Sequence, residues 1–319
     1  MRIARRYMLS VLATLALAGA TPLCAQKIPG TKSGIVKTAD GTKIHYLAAG
    51  HTGFKIIDKG HSNESPRIDT NPELLFIPGW TMPAWIWEHQ ITHFAKTHRV
   101  IAIDPRGQGE SSKPREGYFP AQRARDIRAV IEQLKLTNVV LVGWSMGVAD
   151  IAAYVEQFGT ADVRAIVLAD GLAGGFDAQF TAAMLKFSGD FQKDREKTTG
   201  PFVRSMFRTP QTEDYLERLT ASALQTPTDA AVALFVGAFT ADLRPALTKI
   251  DKPTLVLAAG DEKTNPWVPR YREMADSIPG ARLELPPGTG HALFVDDAAR
   301  FNSLLEALLS PPARTPPLP

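Results

Sequence analysis

The chain of 319 residues has one cysteine, Cys24, so it cannot form an internal disulfide bond. It also lacks a large excess of charge. The formal net charge is +3, and the three arginines Arg2, Arg5 and Arg6 account for that excess. No basic patch or RNA-binding motif stands out in the remainder of the chain. These absences exclude a disulfide-bonded scaffold and disfavour a nucleic-acid partner.

Residues 1–25 have the features of a signal peptide. A basic start is followed by the apolar run MLSVLATLALAG, which is too short to span a membrane. Cleavage would follow Ala20 or Ala25, and the residues before Cys24 make a poor lipoprotein box. We therefore expect a periplasmic or secreted protein with no stable membrane anchor after cleavage. The alternative interpretation is an apolar N-terminal helix of the fold.

The rest of the chain alternates short apolar segments with helical patterns. Residues 34–50 alternate around Asp40-Gly41, which predicts a β-hairpin. Apolar segments of strand length separated by helices predict the α/β class, a mostly parallel sheet with helices on both faces. Further strands are predicted within 73–80, 99–111, 139–144, 163–171, 252–260 and 281–291, and helices within 85–96, 119–135, 146–158 and 297–309.

One stretch interrupts this alternation and divides the predicted domain. Residues 172–246 contain helical patterns without a clear strand, which predicts a helical cap inserted between two strands of the core. The first part of the core is then 26–171 and the second part 247–309. Residues 310–319 are rich in proline and are predicted to be a disordered tail. The polar residues 51–73 are predicted to form a surface excursion.

The sequence Gly143-Trp144-Ser145-Met146-Gly147 fits the pattern G-x-S-x-G between a predicted strand and a predicted helix. A serine at such a turn projects its hydroxyl from the carboxyl edge of the sheet, where open α/β sheets bind ligands. A hydroxyl is a weak nucleophile and needs a base. His291, at the end of the last predicted strand, is the candidate base.

A serine nucleophile also requires N–H donors for the negative charge of the tetrahedral intermediate. Met146, directly after the serine, is one candidate donor. Trp80, after Pro78-Gly79 at the end of the first core strand, is the second candidate. The simpler interpretation of Pro-Gly-Trp is an ordinary turn.

The segments FIPGW, DPRGQGES, GWSMG and GHALFVDDAARFN, in this order, resemble the α/β-hydrolase superfamily. The resemblance covers residues 34 to about 309 apart from 51–73, and it is greatest to cofactor-free haloperoxidases (perhydrolases), small esterases and C–C bond hydrolases. It implies a serine nucleophile, an acyl-enzyme on Ser145, and water activated by His291. It also implies structural roles for Asp104 and Arg106, and no metal or organic cofactor.

The superfamily orients its histidine with an acid, for which this chain offers three candidates. The usual pattern, Gly-x-x-Asp after the penultimate strand, places Lys263 at the acid position. Counting from the start of that strand places Glu262 there instead, with Asp261 adjacent. Some members carry the acid one strand earlier, and Asp170 matches that position. Asp170, Glu262 and Asp261 therefore remain open.

The cap has many large apolar side chains, which would shape a substrate pocket. We prefer the simpler interpretation that most of them pack the cap on the core, and we expect Trp80, Trp144 and Met146 to form pocket walls. Two histidines at helical spacing, His89 and His93, have no third ligand for zinc and are interpreted as an exposed helix face. The cap residues concerned are Phe176, Phe180, Met184, Phe187, Phe202, Met206, Phe207, Phe235 and Phe239.

The main functional expectation is an exported serine hydrolase. Its substrate would be a small or medium carboxylic ester, thioester or lactone with an apolar acyl part. Perhydrolysis, in which peroxide attacks the same acyl-enzyme, is the nearest alternative. C–C bond hydrolysis, peptidase activity and a non-catalytic ligand-binding version of the fold are further alternatives. The sequence does not indicate an oligomeric state.

Overall fold

The computed structural model describes residues 28–50, 55–56, 68–69, 71–263 and 265–310. The predicted signal peptide and residues 311–319 of the predicted tail lie outside the described residues, as does most of the polar excursion. Within the described residues, no helix is both long and apolar enough to cross a membrane.

The fold begins with the predicted β-hairpin. Strands β1 (Lys32–Lys37) and β2 (Lys43–Ala49) pair antiparallel, with Lys37 opposite Lys43. The turn between them contains Gly41 at φ +83°, a conformation that glycine adopts without strain. The hairpin predicted around Asp40-Gly41 is therefore confirmed.

An eight-stranded sheet forms the centre of the molecule, in the order β1-β2-β6-β5-β7-β8-β9-β10. Only the pairs β1–β2 and β2–β6 are antiparallel; the other pairs are parallel. A separate two-stranded pair is formed by β3 and β4. The strands after the hairpin are β3 (Lys55–Ile56), β4 (Ile68–Asp69), β5 (Glu73–Ile77), β6 (Val100–Ile103), β7 (Val139–Trp144), β8 (Val163–Ala169), β9 (Thr254–Leu257) and β10 (Arg282–Glu284).

Helices cover both faces of the sheet, which explains why its central strands are continuous apolar runs. Every residue of β5 and β7 is buried. One core cluster packs Trp87, Phe94 and Phe301 against one face, and the other packs Ile127 and Ile151 against the opposite face. A 3-10 turn (Ala84–Trp87) precedes the helices, which are α1 (Glu88–Phe94), α2 (Pro120–Gln133), α3 (Met146–Phe158), α4 (Ala178–Lys193), α5 (Arg195–Ser205), α6 (Glu213–Leu224), α7 (Thr228–Thr240), α8 (Arg244–Leu247), α9 (Val268–Asp276), α10 (Leu293–Asp296) and α11 (Ala298–Leu309).

Helices α4 to α7 lie between β8 and β9 and begin at side-chain caps in three cases. Asp177, Asp194 and Thr212 each accept a hydrogen bond from a backbone N–H of the first turn that follows. Helices α4, α5 and α7 pack onto Trp80 and Met146 in a third apolar cluster, at the carboxyl ends of β5 and β7, whereas the buried residues of α6 belong to the first core cluster. The predicted α/β class and its sheet with helices on both faces are confirmed.

Candidate active site

The turn between β7 and α3 holds Ser145 in a strained conformation. Its backbone has φ 56° and ψ −117°, a region that residues with a side chain rarely adopt. The Ser145 N–H donates to the carbonyl of Ala169 on the neighbouring strand at 2.9 Å. The sharp turn points the hydroxyl away from the end of the sheet, as the G-x-S-x-G pattern predicts.

Close packing around this turn explains the two glycines of the motif. A Cβ atom on Gly143 would lie 2.6 Å from the carbonyl oxygen of Gly147, and one on Gly147 would lie 2.6 Å from that of Ile77. Neither backbone oxygen can move without displacing a strand or a helix. The glycines therefore allow α3 to pack directly against the ends of β5 and β7.

The structure brings Ser145, His291 and Asp170 together in a hydrogen-bonded chain. The Nε2 atom of His291 lies 2.9 Å from the Ser145 hydroxyl oxygen, and its Nδ1 atom lies 2.7 Å from Oδ2 of Asp170. Asp170 follows β8, the parallel neighbour of β7, which is why it reaches the same edge of the sheet. The other oxygen of Asp170 accepts the N–H of Ala259 at 2.8 Å.

Neither of the other two candidate acids takes the place of Asp170 at the ring of His291. Glu262 is exposed and pairs with Arg272, so the alternative that places the orienting acid at Glu262 does not fit the structure. Asp261 accepts the backbone N–H of Lys263 at 2.9 Å. Both ring nitrogens of His291 already have partners, Ser145 and Asp170, which leaves no ring nitrogen for Asp261.

Trp144 holds the backbone of His291 and does not line the cavity. The prediction that Trp144 forms a pocket wall was therefore wrong. Its side chain is buried, and its indole N–H donates to the carbonyl of His291 at 2.7 Å. The two ring centroids are 5.0 Å apart. Sequence alternation along β7 does not reveal this role, because the partner lies on a loop almost 150 positions later.

The two predicted N–H donors lie beside the serine. Met146 is the first residue of α3, where helix geometry leaves the N–H without an intrahelical acceptor. The Gly79–Trp80 segment passes so close that a Cβ atom on Gly79 would lie 2.9 Å from Cβ of Ser145. The side chain of Trp80 points toward α7, where its indole N–H donates to the carbonyl of Ala231 at 2.7 Å.

A cavity of about 440 Å³ opens onto Ser145 and His291. Its wall is mostly apolar and rich in aromatic side chains, and no lysine, arginine or glutamate belongs to it among the described residues. Seven of the nine apolar cap residues considered above line it, so the interpretation that most of them only pack the cap was wrong. Met206 and Phe207 are the exceptions and pack into the core cluster. The seven are Phe176, Phe180, Met184, Phe187, Phe202, Phe235 and Phe239.

Tyr271 is a residue of the site that the sequence analysis missed. It lies on α9, is buried, and lines the cavity beside Asp170. Burial and the neighbouring Asp170 carboxylate raise the pKa of the Tyr271 hydroxyl well above its usual value. The Tyr271 hydroxyl therefore keeps its proton at neutral pH. Its helix carries no motif, so the sequence offered no signal for it.

A second serine–histidine–aspartate chain lies on the hairpin side of the sheet. Ser33 Oγ is 2.7 Å from Nε2 of His45, whose Nδ1 is 2.7 Å from Oδ2 of Asp104. Ser33, however, is exposed on the edge strand β1, and its backbone is ordinary extended strand. Asp104 also accepts the backbone N–H groups of Ala84 and Glu110, as a structural residue would.

The remaining predicted residues are placed away from the cavity. The Arg106 guanidinium is fully buried and forms a two-point ion pair with Asp126. His93 lies 2.7 Å from Glu306, and His89 is exposed on the same helix. Within the described residues, no group of three histidine, cysteine or acidic side chains is arranged to hold a metal ion.

Comparison with known families matches residues 72–298 to the alpha/beta hydrolase fold. Among curated proteins, the chain is 26% identical over 296 residues to a bifunctional esterase/perhydrolase of Acinetobacter calcoaceticus, covering 86% of this chain and 99% of the relative. It is 29% identical to a non-heme chloroperoxidase of Kitasatospora aureofaciens, covering 74% and 91%. A solved esterase from Exiguobacterium antarcticum is similar with a TM-score of 0.75 at 25% identity, covering 86% of this chain and 98% of that chain.

Proposed function

The chain belongs to the α/β-hydrolase family, and from this premise we propose that it hydrolyses a small or medium carboxylic ester, thioester or lactone through an acyl-enzyme on Ser145. The observation that carries the proposal is the hydrogen-bonded chain from Ser145 through His291 to Asp170, which opens into an apolar cavity. The two relatives named as esterases support the same reaction class.

The geometry supports a two-step acyl transfer. His291 Nε2 takes the hydroxyl proton as Ser145 Oγ attacks the carbonyl carbon, and it then gives this proton to the departing alcohol. In the second step water attacks the acyl-enzyme and gives a proton to His291, which passes it to Ser145 Oγ as the acyl–oxygen bond breaks and the acid leaves. Asp170 holds the Nδ1–H side of the ring and stabilises its positive charge. The N–H groups of Trp80 and Met146 receive the oxyanion in both steps.

The cavity supports a neutral, apolar substrate. A volume of about 440 Å³ holds roughly 15 non-hydrogen atoms if each occupies about the volume of a water molecule in the liquid. That is the size of an aryl ester or an ester of a medium-length acid. Among the described residues the wall has no lysine or arginine, so a free carboxylate on the substrate would lack a permanently charged partner.

Perhydrolysis is a second candidate, and the names of the relatives favour it. One relative is described as a bifunctional esterase/perhydrolase and another as a non-heme chloroperoxidase. The same acyl-enzyme would then be attacked by hydrogen peroxide in place of water, giving a peracid and the free serine. Measuring peracid formation with an ester and peroxide, beside ester hydrolysis alone, tests this candidate directly.

We also propose that the protein is exported and that its signal peptide is removed by cleavage after Ala20 or Ala25. The basic start and the short apolar run support this. Fractionation of cells that express the full chain, followed by measurement of the intact mass, tests it. We expect a protein in the periplasm or medium whose mass corresponds to a chain beginning at Thr21 or Gln26. An uncleaved chain in the cytosol would contradict the proposal.

A fluorophosphonate probe tests the nucleophile without knowledge of the substrate. We expect labelling at Ser145, its loss in Ser145→Ala, and strong slowing in His291→Ala. Ser33→Ala is the matched control, because Ser33 also contacts a histidine–aspartate pair but lies outside the cavity. Absence of labelling in a folded wild-type protein would overturn the serine-hydrolase proposal and favour a ligand-binding role.

A further inference from the structure

We propose that Gln108 is a positioning residue for the oxyanion site and that the buried ion pair Arg123–Asp150 holds it in place. The proposal rests on the function given above, because it assigns the purpose of a network behind the reacting serine. Gln108, Arg123 and Asp150 are all buried, with exposed fractions of 0%, 2% and 1%. None of them lines the cavity, and their hydrogen bonds go to residues other than Ser145, His291 and Asp170.

Gln108 contacts the peptide bond between Gly79 and Trp80 from its carbonyl side. The side-chain amide of Gln108 donates to the carbonyl of Gly79 at 3.0 Å and to that of Met82 at 3.0 Å. The described backbone contains no cis peptide bond, so the Gly79 carbonyl and the Trp80 N–H point in opposite directions on one plane. Gln108 therefore fixes the plane from behind and aims the Trp80 N–H away from itself.

The side-chain amide of Gln108 can be placed in only one of its two flip orientations. Backbone carbonyls accept hydrogen bonds and arginine only donates them, so Nε2 must face Gly79 and Oε1 must face Arg123. The distance from Arg123 Nη1 to Gln108 Oε1 is 3.2 Å. The amide consequently has no alternative flipped state in which it would release the peptide.

Arg123 connects Gln108, and through it the Gly79–Trp80 peptide, to α3, the helix that supplies the Met146 N–H. Arg123 on α2 binds Asp150 at two points, with Nε to Oδ1 at 2.8 Å and Nη2 to Oδ2 at 2.5 Å. Asp150 lies on α3, four residues after Met146, and is therefore about one helical turn from the N–H group of Met146. A single buried network therefore spans both sides of the oxyanion site.

A purely structural purpose explains this network less well. Removing an arginine and an aspartate from water is costly, and apolar side chains of similar volume often hold two helices equally well. Apolar side chains cannot, however, fix the rotation of a peptide plane. The directional hydrogen bonds are what the apolar alternative would lack.

The test uses Gln108→Met, which keeps the volume of the side chain but removes its donors. We expect kcat to fall by roughly 10- to 100-fold, since complete loss of one oxyanion donor costs about 100- to 1,000-fold, while KM changes less than about threefold. A trifluoromethyl ketone inhibitor, which binds as a tetrahedral oxyanion, should lose affinity by the same factor as kcat/KM.

The control is Gln90→Met. Gln90 is also fully buried and donates to a backbone carbonyl, that of Phe294 at 2.9 Å, but it has no contact with the Gly79–Trp80 peptide. It should lower the melting temperature with little change in kcat or in ketone affinity.

A folded Gln108→Met enzyme whose kcat and ketone affinity stay within twofold of wild type would overturn the proposal. If that variant does not fold, the same comparison is made with Gln108→Glu, which has the same shape and no donor when ionised. An inactive wild type that does not label at Ser145 would instead refute the proposed function, so the two failures are distinguishable.

Discussion

Replacement of Asp170 by asparagine is the sharpest test of the acid assignment. The structure predicts which way the new amide will point, because the Asp170 oxygen Oδ1 already accepts the N–H of Ala259 at 2.8 Å. The asparagine oxygen must take that position, which leaves its NH₂ group facing Nδ1 of His291. The amide would then donate to Nδ1 and force the ring proton onto Nε2, so the histidine could no longer accept the proton of Ser145.

The size of the effect follows from this tautomer reversal. The same exchange in a serine protease triad lowers kcat by about 10⁴, and we expect kcat/KM to fall by roughly 10³ to 10⁴. At about 1.36 kcal/mol for each factor of ten, this corresponds to roughly 4 to 5.5 kcal/mol of lost transition-state stabilisation. Hydrolysis of a chromogenic aryl ester measures it, with circular dichroism as the check on folding.

The matched control is Glu262→Gln, which removes the other candidate acid. Its carboxylate is exposed and pairs with Arg272 on the surface. Such pairs contribute about 1 kcal/mol or less to stability, and none of that reaches the reaction. Activity of Asp170→Asn within tenfold of wild type, or a greater loss in Glu262→Gln, would refute the reasoning.

Three further predictions concern the turn, the cavity and the hairpin. Gly147→Ala should lower the free energy of unfolding by about 1 to 3 kcal/mol in urea titrations, because its Cβ would lie 2.6 Å from a carbonyl of β5; unchanged stability would contradict this. Phe187→Ala should raise the hexanoate-to-acetate ratio of kcat/KM roughly tenfold, whereas Phe207→Ala, which does not line the cavity, should leave the ratio unchanged. Partial burial raises the pKa of Asp40, but hydrogen bonds, including one from Arg106, outweigh it and hold the pKa well below its usual range. Asp40→Asn should therefore destabilise the protein at pH 7, and the difference should shrink below about pH 4 as the unfolded-state carboxyl binds its proton; a pH-independent difference would contradict this.

The succession of strands and helices along the chain and the position of the serine could be predicted because each depends on local signals. The apolar run before Ser145 and the glycines on either side are typical of one sharp turn, and His291 ends the last predicted strand. The structure brings these two side chains together at 2.9 Å. The prediction of the α/β fold class depended only on the alternation of strands and helices.

The acid could not be predicted because it depends on which strands are neighbours. Asp170 and Glu262 both lie between Ser145 and His291 in the chain, and both follow predicted strands. Asp170 follows β8, which pairs directly with β7, whereas Glu262 follows β9, one strand further away. Spacing along the chain does not contain this information.

The cavity wall and the supporting residues could not be predicted for a similar reason. The sequence between β8 and β9 does not show which of its aromatic residues face the cavity and which face the core. Phe202, for example, lines the cavity, whereas Phe207 packs into the core. Gln108 lies within a turn that resembles a family motif, but its partners Gly79 and Arg123 are visible only once the chain is folded.

Trp80 imposes a constraint on any effort to engineer this protein. Its indole N–H donates to the carbonyl of Ala231 on α7 and its rings pack against Phe235 with ring centroids 4.9 Å apart, while the preceding residue, Gly79, lies against the reacting serine. A library that varies α7 to admit new substrates will therefore disturb turnover as well, so selectivity and rate should change together among its members. Variation at Phe176 and Phe180, which lie outside α7 and stack on each other with ring centroids 5.1 Å apart, is the route on which the two properties can be adjusted separately.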